Sequence, residues 1–257
     1  MRCVASWRSR LWISDGKFLY PSKLGNPDAF PARLALRVGD DFGNEIVSLL
    51  GTEDALIVGM TRGTQYVLGT GASSWEIKEM DPTHGVRGAL GLASYGDTTV
   101  WAGYDDMYSA SGLSEGRPLS GATRKLAPLF DNLDANQDVQ VVPLSTAKGV
   151  VFLISNSTDF NAVFWFWHEP TNSFWPWRSE TARPAVILQD RGPTGERVTW
   201  FTERDELYTF DDTDYQFDDL LNAPVGLGGP QNIAVELVPK VLDLGRARGL
   251  VQYLRAK

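Results

Sequence analysis

The sequence predicts an all-β fold. Three observations carry that expectation: a strand–turn–strand signal in NAVFWFWHEPTNSFWPWR, fainter copies of the same unit along the chain, and a scarcity of helical periodicity. In the first, Val163, Trp165 and Trp167 alternate with Phe164, Phe166 and His168. Glu169, Pro170, Thr171 and Asn172 then turn the chain and Ser173 starts back. Period-two alternation around a Pro/Asn turn is a β-hairpin pattern. The copies are LWISDGKFLY, turning at Asp15-Gly16; LIVGMTRGTQYVL, at Arg62-Gly63; VWAGYDDMY, at Asp105-Asp106; and VTWFTERDELYTF, around Arg204. Hairpins recurring every roughly 40 to 45 residues describe a repeat of β-blades. The expected architecture is therefore a β-propeller of five or six divergent four-stranded blades. A β-sandwich is the alternative, although its turns would come every roughly 8 to 12 residues.

In chain order, the first unit covers about 2–37, with strands at 3–7, 10–14 and 17–21 and a type I′ turn expected at Asp15-Gly16. SKLGNPDAFP, rich in turn residues, is a connector. The second unit, 45–82, starts with IVSLL, carries the 56–68 hairpin and closes on Trp75-Glu76-Ile77, an alternation suited to an outer strand. In the third, 85–133, strands are expected at 89–95, 98–102 and 107–110, then at RPLS; TRKLAPLFD is partly helical, and Pro128 limits it to a turn or two. Strands at 139–143 and 149–154 precede the opening hairpin, in which Trp165 is expected to face the core. The fifth unit, 183–217, repeats the pattern at 185–188, 198–201 and 207–210. Residues 1–230 are thus read as the propeller and 231–257 as a closing or extra β-segment.

Composition bounds the function. The 257 residues include 43% hydrophobic and 11% aromatic side chains, with nine Trp, enough for a substantial core. No apolar run approaches the roughly 18 residues of a membrane helix, so no membrane insertion is expected. MRCVASWR lacks a signal-peptide core, and export by that route is not expected. One cysteine, Cys3, excludes an intramolecular disulfide, and with only His84 and His168 beside it a zinc cluster is not expected. The net charge of −8 argues against tight duplex-DNA binding, which rests on Lys and Arg neutralising phosphates. DNA can still pass nearby without sticking.

No G-x-S-x-G elbow, HExxH or Walker loop exists, nor the Ser-x-Asp-x-Gly-x-x-Trp repeat of sialidase propellers. A serine triad would have to use His84, in the turn sequence DPTHG, or His168, beside a hairpin turn. His84 reads as a surface or loop-capping residue and His168 as a packing residue. The acidic run Asp211, Asp212, Asp214, Asp218 and Asp219 is the best candidate for calcium, yet it lacks the Gly and terminal Glu of an EF-hand loop and reads as a solvated inter-blade loop. Trp165, Trp167, Trp175 and Trp177 could pack a blade, anchor a protein interface or stack on sugars; packing is the leading reading. Asp40-Asp41 and Asp105-Asp106 are turn residues. No catalytic, cofactor or metal residue is assigned, and the chain is expected not to be an enzyme.

Five cues, RLWISDGKFLYPSKLGNPDAFP, ALIVGMTRGTQYVL, GVRGALGLASYGDTTVWAGYDDMYSASG, LYTFDDTDYQFDD and VPKVLDLGRARG, together resemble the propeller-bearing neck and tail-nozzle proteins of tailed bacteriophages. The resemblance runs over 10–249. The chain is shorter at both ends than is usual in that family, where extra β-domains contact the portal or adaptor ring. The resemblance implies a structural virion protein, assembled in the host cytoplasm, whose copies form a ring around the DNA conduit. Its implied partners are further copies of itself, the portal or adaptor, other tail proteins, and viral DNA passing without sequence-specific contacts. A carbohydrate- or receptor-binding propeller of a tail fibre or cell surface is the alternative, and a glycan-active enzyme a third reading. Carboxylates of the 211–219 run are expected to add negative potential to the channel or its rim.

Overall fold

The computed structural model describes residues 3–40, 42–119, 130, 133, 139–144, 148–154, 164–179, 184–192, 195–202, 207–211 and 235–237; at Phe164 and from 175 onward the description is of backbone alone. The first sheet holds β1 (Cys3–Trp7), β2 (Arg10–Ser14), β3 (Phe18–Pro21) and β4 (Leu36–Arg37). Next come β5 (Ile46–Gly51), β6 (Leu56–Met60), β7 (Thr64–Leu68) and β8 (Glu76–Asp81) in the second. The third is built from β9 (Leu92–Tyr95), β10 (Thr98–Ala102), β11 (Met107–Ser111) and β12 (Arg117–Pro118). In each, strands that follow one another in sequence are neighbours in space. Such a four-stranded antiparallel meander is the blade of a β-propeller.

A fourth sheet runs β13 (Val139–Leu144), β14 (Gly149–Ile154), β15 (Phe164–His168) and β16 (Ser173–Ser179), with β20 (Val235–Leu237) added against β16. The fifth holds β17 (Pro184–Gly192), β18 (Gly195–Thr202) and β19 (Leu207–Asp211). The chain divides into two compact units, 1–141 and 142–257. The first contains sheets one to three.

The propeller, not the sandwich, is the fold, and β6 shows why. Its five residues LIVGM are all buried, which period-two alternation permits only when both faces of a strand are covered. Leu56, Val58 and Met60 pack into one cluster with Trp7, Trp12 and Leu19 of the first sheet. Ile57, on the opposite face, joins Leu92, Trp101 and Tyr108 of the third. A blade stacked between two blades needs this arrangement. Gly59 belongs to it too: a Cβ there would come within 2.6 Å of Val86 Cγ2.

All five hairpins fall in separate sheets. The pairs β2–β3, β6–β7 and β10–β11 are the middle strands of their blades, whereas β15–β16 is displaced one place and β18–β19 lies at one side of the three-stranded sheet. Strands 3–7, 10–14, 98–102 and 149–154 have the expected bounds. Asp15-Gly16 is not a two-residue type I′ turn, since that turn needs positive φ at both central residues and only Gly16 (φ 108°) has it. The Asp15 N–H donates to the Phe18 carbonyl at 3.3 Å, so the turn centres on Gly16-Lys17, and the Asp15 carboxylate accepts the N–H groups of Lys17 (3.0 Å) and Phe18 (2.8 Å). Paired positive φ occurs instead at Arg8 (48°) and Ser9 (57°), joining β1 to β2. The helical turn expected in TRKLAPLFD lies outside the described residues except Phe130, which is helical and buried. Of the 231–257 segment, only β20 is described.

Candidate functional site

The densest side-chain chemistry in the first unit gathers where β8 ends. Asp81, its last residue, is fully buried. A buried carboxylate is stable only when hydrogen-bonded, and DPTH supplies the donors: Oδ1 accepts the N–H of Thr83 (2.9 Å), the hydroxyl of Thr83 (3.1 Å) and the N–H of His84 (2.9 Å). Oδ2 lies 2.8 Å from His84 Nδ1. Burial opposes ionisation of Asp81, but the bonds from the His84 ring and the two main-chain N–H groups outweigh it and hold the carboxyl below its usual range. The aspartate, more than the histidine, caps this loop.

The His84 ring stacks on Tyr108, centroids 4.2 Å apart at 26°, and Tyr108 stacks in turn on Trp101, 5.7 Å and 23°. Tyr108 donates its hydroxyl to Asp105 Oδ1 at 2.9 Å, across the β10–β11 turn. Burial first, and then the bond to Asp105, push the Tyr108 phenol well above its ordinary value. No serine or cysteine hydroxyl or thiol is hydrogen-bonded to either ring nitrogen of His84 among the described residues; Thr83 Oγ1 is the hydroxyl beside the ring, 3.1 Å from Nδ1, and it is shared with Asp81. The arrangement fixes a loop to a blade.

The other sequence candidates have plain surroundings. His168 Nδ1 lies 2.8 Å from Thr171 Oγ1, inside the turn that it opens. Trp167 is buried (7% exposed) and donates its indole N–H to Asn172 Oδ1 at 3.1 Å. Trp165 is half-buried, so its inward orientation is only partial. The side chains of Trp175 and Trp177 lie outside the described residues. Of the acidic run, Asp211 ends β19 and residues 212–219 lie outside the described residues. Asp40 accepts the N–H groups of Phe42 (2.8 Å) and Asn44 (3.0 Å), the turn role expected of it; Asp41 lies outside the described residues. Asp106 Oδ1 accepts the N–H of Met107 at 2.6 Å.

Asp81 and Tyr108 were not singled out from the sequence. The signal for Asp81 was present in Asp-x-Thr-His, where an Asp side chain reaches the N–H groups two and three residues on. Nothing local marks Tyr108.

No family model matches the chain, and no curated protein matches it. Among solved structures, BBS1N, crystallised in complex with ARL6DN, is similar at 13% identity with a TM-score of 0.55, over 82% of this chain and 63% of that one. The chain thus spans less than two thirds of BBS1N. The computationally designed Ika8 protein aligns at 13% identity and a TM-score of 0.49, over 81% of this chain and 57% of that one. The WD40 domain of Neurospora crassa Pan2 aligns at 10% and 0.43, over 80% and 64%. The likeness to BBS1N is one of fold alone.

Proposed function

We propose that this protein is a structural, non-enzymatic virion component of a tailed bacteriophage, a propeller whose copies close into a ring in the neck or tail, like a nozzle, through which DNA passes. One observation carries the reading: three of the five cues resembling the tail-nozzle proteins coincide with blade hairpins and not with connectors alone. RLWISDGKFLY spans β2–β3, ALIVGMTRGTQYVL spans β6–β7, and GVRGALGLASYGDTTVWAGYDDMYSASG spans β9–β11. The charge of −8 supports it, because a conduit for a polyanion works best without basic walls that retain DNA through counterion release. Screening confines a charge's reach to about 8–10 Å at ordinary salt, so only residues lining the passage contribute.

A ring of identical copies is built from repeated heterologous contacts that close. Mass photometry and negative-stain electron microscopy of the purified protein test this: closed rings of several copies are the expected result. A monomer at micromolar concentration that binds immobilised glycans would overturn it in favour of a receptor-binding propeller.

A further inference from the structure

On the edge of the second and third blades opposite the Arg62-Gly63 and Asp105-Asp106 turns, the β5–β6 turn, the β9–β10 turn and the β11–β12 loop enclose a cavity of about 360 Å³. That volume falls in the roughly 300–1,000 Å³ span of small-ligand sites. Glu53, Asp54 and Asp97 contribute three carboxylates, and among the described residues no Lys, Arg or His lines the space. None of the three carboxylates is in an ion pair among the described residues. The nearby Arg8 guanidinium donates to the main-chain carbonyl of Asp54, at 3.5 Å.

An acidic rim alone does not make a site; the floor supplies the second observation. Thr99 is only 4% exposed. In β10 it sits two residues from Trp101 and directly across from Ser94 in β9, so all three share the sheet face that looks toward Ile57 of the second blade. Its hydroxyl makes no hydrogen bond among the described residues, and it is not one of the sealed polar atoms that lack a partner, so its oxygen opens onto the cavity that Thr99 lines. Ser94 Oγ donates to the Gly96 carbonyl at 3.2 Å and keeps its lone pairs as acceptors.

From carboxylates at the rim, unfilled hydroxyl acceptors beneath them and an apolar wall at half-buried Leu113, we infer that this cavity binds a small organic polycation, a diamine or polyamine with ammonium heads and a methylene stem. Ammonium groups donate to the carboxylates and to the hydroxyls while the methylenes lie against Leu113. A bare divalent cation fits less well, because among the described residues no three His, Cys, Asp or Glu side chains are grouped to hold a metal. This inference is independent of the virion reading.

Spermidine titrated into the full chain at low salt is the test, followed by calorimetry and by amide NMR shifts. Expected are saturable binding and shifts concentrated at 51–54, 94–97 and 112–113. The double variant Asp54→Asn/Asp97→Asn should weaken binding at least tenfold. Thr99→Val should weaken it threefold or more and Thr99→Ser should restore it, whereas Glu79→Gln, at an exposed position of β8 away from the cavity, should leave it unchanged. Absence of saturation, shifts spread over the surface, or equal weakening by Glu79→Gln would show diffuse electrostatics only and overturn the proposal. The NMR arm uses the unaltered protein, so a variant that fails to fold leaves the test intact.

Discussion

His84 Nδ1 lies 2.8 Å from Oδ2 of the fully buried Asp81, and the same histidine ring stacks on Tyr108 in the next blade. One carboxylate thereby closes the loop after β8 and, through the ring, fastens it to β11. Replacing it should be costly, because Asp81→Ala empties a fully buried position and removes the charged acceptor shared by the N–H groups of Thr83 and His84 and the His84 ring. A loss of about 2–4 kcal/mol is expected, from hydrogen bonds to a charged acceptor worth roughly 1.5–3 kcal/mol each but not additive. Urea denaturation measures it, and a loss below about 0.5 kcal/mol would remove Asp81 from this role.

The same pair sets an acid limit. The folded-state carboxyl of Asp81 is held below its ordinary value, which for an unfolded Asp is about 3.9. A depressed carboxylate contributes stability that is fully present above the unfolded value and lost as pH falls through the folded one. Melting temperature should therefore fall as pH drops below about 4, and fall less steeply in Asp81→Asn. Parallel slopes for the two proteins between pH 5 and 2.5 would contradict the assignment.

Trp12 is fully buried, 5.8 Å from Trp7 and 5.0 Å from Trp75 between ring centroids. Trp12→Ala should cost about 3–5 kcal/mol, the range for emptying a large aromatic site. Half-buried Trp165 has less to lose, and Trp165→Ala should cost about 1–3 kcal/mol. Equal losses in calorimetric melts would mean that burial does not rank these sites.

Gly63 closes the β6–β7 turn at φ 90°, and a Cβ there would approach the Asp81 carbonyl to 2.5 Å. Gly63→Ala combines an unfavourable backbone conformation with a clash and should destabilise by about 1–3 kcal/mol. The readout is the chemical-denaturation midpoint. An unchanged midpoint would show that the turn can adopt another path.

Much of the fold was legible because its signals are local. Alternation and turn residues within about ten positions located β2, β6, β10, β14 and the hairpins that join them. The Arg8-Ser9 turn escaped notice because neither residue is a Gly, Asn or Asp, so its left-handed conformation is imposed by the pairing of Trp7 with Arg10. The cap formed by Asp81 was half legible: Asp-x-Thr-His announces the turn but not the burial that makes the carboxylate matter.

By itself, then, the sequence determined the strands, most of their turns, the all-β repeat and the acidic balance, since each depends on residue type and short spacing. Only the tertiary structure decided that β6 is covered on both faces, that His84 meets Tyr108, and that Glu53, Asp54 and Asp97 surround one cavity above Thr99. Those relations join residues far apart in the chain. They follow from how one blade packs on the next, and period-two alternation within a strand says which residues share a face but not what covers it.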